Sequence, residues 1–95
     1  MRILVSNDDG IYANGIKALV ESLALDHEVY VIAPDRERSA AGHSLTLNTP
    51  LRVEEVEMSP NVVKSWAVSG TPGDCVKIGV NAILDTPPDL IISGI

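Results

Sequence analysis

Three consecutive apolar residues, Ile3-Leu4-Val5, are followed after Ser6 by Asn7-Asp8-Asp9-Gly10. An apolar run without alternation reads as a short strand buried on both faces, here over residues 2–6. The polar quartet after it is made of turn formers. The period then changes. Ile16, Leu19, Val20 and Leu23 recur at i, i+3, i+4 and i+7, the stripe of a surface helix over residues 11–25, with Lys17 and Glu21 on its other side. A second continuous run, Val29-Tyr30-Val31-Ile32, gives a strand over residues 28–33 that Pro34 closes. Strand, helix and strand in this order make a βαβ unit, whose strands are parallel and whose crossover is right-handed. The fold class is therefore α/β, a mostly parallel sheet with flanking helices.

Residues 35–44 are polar and small and read as an exposed loop. Leu45-Thr46-Leu47 and residues 51–56 alternate apolar with polar, which suits half-exposed strands running antiparallel on the sheet. Ser59-Pro60-Asn61 is a turn, and residues 62–68 return as a strand carrying Trp66. A second helix starts with Thr71 as N-cap, Pro72 at N1 and Asp74 at N3, a capping box with Asp in the Glu place. Val76, Val80 and Ile83 are expected to face inward. Pro87-Pro88 blocks extension, and residues 89–93 form a last strand whose continuous Leu90-Ile91-Ile92 run predicts a central position. Two helices cannot cover both faces of such a sheet. The 95 residues are expected to be the N-terminal portion of a single domain, unstable or aggregating when isolated.

The formal charge of −6 disfavours a nucleic-acid partner, since it repels a phosphate backbone. It leaves open a small anionic substrate, because a bound metal reverses the local field. The single cysteine, Cys75, rules out an intrachain disulfide. No secretory leader and no run approaching ~20 apolar residues is visible, so the expected setting is cytoplasmic, with no membrane partner. G-x-G-x-x-G, P-loop, serine-elbow and zinc spacings are all missing.

Asp8 and Asp9 hold the most informative position. Ligands of open parallel sheets gather beyond the C-terminal ends of the strands. Two adjacent carboxylates repel unless a cation compensates, and a hard divalent ion such as Mg²⁺ or Mn²⁺ would do so. A polar turn whose Asp caps the next helix explains them equally well, and Asn7 and Gly10 support a tight turn in either case. Ser39 and His43 belong to the loop at the same edge. Ser39 could touch a metal or phosphate, and His43 could move a proton near neutral pH. Ordinary loop polarity also accounts for both, and for Ser44 and Gly42. Gly70-Thr71-Pro72-Gly73-Asp74 could place amides against an anion, although capping alone explains it. Cys75 reads as a small buried residue, and Trp66 as core or interface.

Four blocks together carry a resemblance over the whole chain. They are residues 3–10 with Gly15-Ile16, residues 33–39 continuing to His43-Ser44-Leu45-Thr46-Leu47, residues 70–76, and residues 88–95. In that combination the chain closely resembles the N-terminal part of the stationary-phase survival protein SurE family. The resemblance implies a larger Rossmann-like phosphatase domain that assembles as a homodimer or homotetramer. It implies a metal-dependent 5′/3′-nucleotidase, a phosphomonoesterase acting on nucleoside monophosphates. One Mg²⁺ or Mn²⁺ would be held by Asp8, Asp9 and Ser39. The fourth ligand would be an asparagine directly after Ile95, outside this chain. Asp8, Asp9 and His43 would serve catalysis, and Asn7, Ser39 and Ser44 would meet the substrate. The last strand can lie beside the first, opposite the second, bringing residues 92–94 toward Asp8-Asp9. The alternatives are a hydrolase of polyphosphate or other phosphate esters, and a small-ligand sensor module on the same fold.

Overall fold

The computed structural model describes residues 1–36 and 51–93. The expected strand at Leu45-Thr46-Leu47 and the site residues Ser39, His43 and Ser44 lie outside these.

The elements are β1 (Arg2–Val5), α1 (Asn14–Leu23), β2 (Glu28–Pro34), β3 (Val53–Val56), β4 (Lys64–Val68), α2 (Pro72–Ile78) continuing into a π-helical turn (Gly79–Ile83), and β5 (Leu90–Ile92). They form one sheet in the order β3-β4-β2-β1-β5. β1 is parallel to both β2 and β5, and β2 is parallel to β4. β3 alone runs antiparallel, against β4. The expected βαβ unit, the antiparallel excursion and the place of β5 beside β1 are all present.

Alternation along the strands divides the core into two layers. Ile3, Val5, Val29 and Val31 pack with Ile16 and Val20 on the α1 side. Leu4, Ile32 and Val68 pack with Cys75 on the α2 side. Each such buried aliphatic contributes about 1.5–3 kcal/mol relative to exposure, so a charge at Leu4 or Val31 would disrupt a whole layer. The α1 stripe is as expected, with Ile16 and Val20 buried. The helix begins at Asn14, later than its apolar pattern suggests. Ile11 and Tyr12 are held in a turn by a hydrogen bond from Ala13 N–H to the Gly10 carbonyl (3.1 Å).

Two expectations fail. Val80 is exposed, while Cys75 and Gly79 are buried and Ile78, Ile83 and Leu84 pack against the sheet. Cys75 and Gly79, one turn apart, face the sheet in place of Val76 and Val80, and the wide turn, in which Leu84 N–H reaches back five residues to the Gly79 carbonyl (3.0 Å), brings Ile83 and Leu84 round to the same side. Gly79 is where helix and sheet meet most closely: a Cβ there would lie 2.5 Å from Ile32 Cδ1. β5 is also an edge strand among the described residues, not a central one, with Leu90 45% and Ile91 43% exposed. A continuous apolar run shows that a strand suits burial, but its neighbours decide whether burial occurs.

Candidate metal and phosphate site

The chain leaving β1 stays buried through Ser6 and Asn7 before it reaches solvent. Ser6 N–H donates to the Ile92 carbonyl (2.9 Å), so the ladder with β5 runs to the mouth of the loop. Asn7 then closes a four-residue turn on itself. Its Nδ2 donates to the Gly10 carbonyl (2.9 Å), and its Oδ1 accepts from Gly10 N–H (3.2 Å). Gly10 has φ 105°, a conformation that favours glycine. On the far side, Ile11 N–H donates to the Pro34 carbonyl (2.8 Å), fastening the loop to the end of β2.

Asp8 and Asp9 are the two residues left between these ties, and both are exposed. Among the described residues, neither carboxylate accepts a hydrogen bond or joins an ion pair. Neither caps α1, whose N-cap is Ala13 without a side-chain bond. The capping explanation for this pair therefore fails for α1. Two hard oxygen donors, presented on a fixed loop and committed to nothing internal, suit a hard divalent cation. Among the described residues no group of three or more His, Cys, Asp or Glu could hold a metal.

Other groups share this edge. Asp35 follows β2, its N–H bonded to the Val68 carbonyl (2.8 Å) and its carboxylate 3.6 Å from Arg36 Nε. Across the α2 start, Thr71 Oγ1 accepts from Asp74 N–H (3.2 Å) and Asp74 Oδ2 from Thr71 N–H (3.0 Å), the capping box read from the sequence. Beneath lies Cys75. Burial pushes its thiol up to about 12; the Ser6 hydroxyl offsets part of this, and the Asp74 and Asp35 carboxylates add to it. Ser6 Oγ is buried and has no hydrogen-bond partner among the described residues. A thiol that stays protonated is not a nucleophile, in keeping with a structural Cys75.

The structure brings Asn7, Asp8 and Asp9 to one loop, with Ser93 following the strand bonded beside it. Asn7 is chiefly an anchor, with one amide hydrogen left over. Sequence reasoning passed over Ser6, Asp35 and Tyr12. Asp35 was the findable one, since it directly follows a strand at the ligand-binding edge.

The family model described as survival protein SurE matches residues 3–95. The 5′-nucleotidase SurE of Pelotomaculum thermopropionicum is 58% identical over 95 residues, covering 100% of this chain and 37% of that protein. The 5′-nucleotidase SurE of Desulforamulus reducens is 53% identical over 96 residues, covering 100% of the chain and 38% of that protein. The crystal structure of the SurE protein from Aquifex aeolicus superposes with a TM-score of 0.78 at 42% identity, covering 100% of this chain and 37% of that one. The chain thus spans little more than a third of the length of the relatives it matches.

Proposed function

The chain belongs to the survival protein SurE family, and from that premise we propose that the protein it forms is a metal-dependent phosphomonoesterase releasing phosphate from nucleoside monophosphates. The observation that carries this reading is the pair of exposed, internally uncommitted carboxylates on the fixed Asn7–Gly10 loop. Asp8 and Asp9, with the Ser39 hydroxyl, hold one Mg²⁺ or Mn²⁺. When bound, such an ion supplies Lewis acidity and neutralises phosphate charge.

The remaining roles fall to side chains. Asn7 keeps the two carboxylates in place and offers its spare amide hydrogen to a phosphate oxygen. Ser39 and Ser44 donate hydrogen bonds that orient the ester. His43 takes up the proton that the attacking water gives up and passes one to the leaving oxygen as the ester P–O bond breaks, the general acid–base work an imidazole can do. Water attacks phosphorus, and both aspartates remain ligands. The protein acts in the cytoplasm as a homodimer or homotetramer.

The test is phosphate release from nucleoside 5′- and 3′-monophosphates by the full-length protein, with and without Mn²⁺. Turnover that requires the metal and disappears in Asp8→Asn and Asp9→Asn is the expected result. Nucleotide binding without turnover, indifferent to both substitutions, would replace the enzyme by a binding module. A trapped phosphoenzyme would replace water by an aspartate as the nucleophile.

A further inference from the structure

The chain has three aromatic residues, and they are treated differently. Tyr30 and Trp66 are half-buried against the α2-side core. Tyr12 is 70% exposed. Its backbone is nonetheless fixed: Ile11 N–H is bonded to Pro34 on one side, and Ala13 N–H to Gly10 on the other. An aromatic ring displayed in water from a tied turn leaves a large apolar area uncovered.

Tyr12 lies at a cavity of about 230 Å³ lined by Ile11, Tyr12, Asn14, Lys17, Glu57 and Met58. Its lining is of two kinds. The Tyr12 ring, Ile11 and the soft thioether of Met58 offer flat or adaptable apolar contact. Asn14 supplies both a donor and an acceptor, Glu57 an acceptor and Lys17 a donor. A planar ring with hydrogen-bonding groups along its rim satisfies both kinds at once. The place fits as well. Tyr12 is three residues beyond Asp9, so their Cα atoms lie at most about 11 Å apart. One sugar ring separates the phosphate of a nucleotide from its base, a span that side chains on two such residues can bracket. Two larger cavities among the described residues, of about 420 and 290 Å³, reach Lys64 at the start of β4, the opposite end of the parallel strands from Asp8 and Asp9; the first shares its Glu57 and Met58 wall with the smaller one, whose near wall is Ile11, Tyr12 and Asn14.

We infer that this cavity receives the base of the nucleotide, and that Tyr12 is the stacking platform that favours base-bearing phosphate esters over others. The inference rests on the phosphatase reading above. Stacking on an aromatic face tolerates any base, so Tyr12 sets preference for a nucleotide as a class, while Asn14 and Glu57 discriminate among base edges.

The experiment compares kcat/KM of the full-length, Mn²⁺-loaded protein for a nucleoside 5′-monophosphate and for glycerol phosphate, which has no ring. In Tyr12→Ala the ratio of the two falls about tenfold, carried by KM for the nucleotide. Tyr12→Phe keeps the ratio, because the ring and not the hydroxyl makes the contact. An unchanged ratio in Tyr12→Ala overturns the inference. So does an equal loss on both esters with a lowered unfolding temperature, which would make Tyr12 a packing residue. A wild-type protein that hydrolyses neither ester overturns the phosphatase reading first and this inference with it.

Discussion

Two loops at one edge of the sheet carry a strand into a helix, and they use their carboxylates in opposite ways. After β4, Asp74 turns back onto Thr71 and completes a capping box, so its charge is consumed in starting α2. After β1, the turn is built by the neutral amide of Asn7, α1 begins without a side-chain cap, and Asp8 and Asp9 are left outside. Structure alone would favour the reverse, with an acid on the helix start and no like charges side by side. The first loop thus forgoes a stabilising cap and keeps its acids exposed, as the proposed metal site requires.

That contrast can be broken most severely at Asp8. Asp8→Asn in the full-length protein should lower metal-stimulated phosphate release more than about 100-fold, beyond the range for an outer-shell partner, while the unfolding temperature hardly moves. Lost stability with retained activity would make the two loops alike. Asn7→Ala should instead act through structure. It removes both bonds to Gly10 and leaves the buried Gly10 N–H unsatisfied, while the carbonyl keeps its bond from Ala13 N–H, at a cost of about 1–3 kcal/mol, so the denaturant midpoint and activity fall together. Thr71→Ala should cost about 1 kcal/mol by the same assay and leave activity per folded molecule intact.

The smallest effect concerns Cys75, which lies between the loops. Its folded-state value, raised from 9.0 to about 12, means that the native state holds a proton the unfolded chain releases. Stability from this source is complete below about pH 9 and declines as pH rises from there toward 12. Alkylation of the thiol at pH 8 should accordingly follow unfolding. Rapid modification of the native protein would show the thiol to be accessible.

Much of this was legible in the residues. Two unbroken apolar runs around a 3.6-residue stripe specified β1, α1 and β2, because the backbone period dictates which side chains share a face. Thr71, Pro72 and Asp74 announced α2, since capping is a local interaction. Position beyond β1 marked Asp8 and Asp9. What escaped was set by distant neighbours. Leu90-Ile91-Ile92 has the composition of an interior strand, and only pairing partners show that among the described residues β5 has β1 as its one neighbour. Val76 and Val80 are as apolar as Ile78, and only the close approach of Gly79 to Ile32 decides between the two stripes. The exposure of Tyr12 follows from how its turn is tied, which no spacing encodes. The parts assigned to Ser39, His43 and Ser44 lie outside the described residues and rest on the resemblance.

The widened turn at Gly79–Ile83 makes this stretch sensitive to its length more than to its spelling. A regular helix rotates about 100° per residue. One residue taken up in the slack therefore aims everything downstream, including Leu84, which packs against the α2-side core, and the approach to β5. Exchanging exposed Asn81 or Ala82 for another helix former leaves that aim alone. Removing either one would wind the segment tight, turn Leu84 away from the sheet, and misdirect the strand whose last carbonyl anchors Ser6 beside the two aspartates.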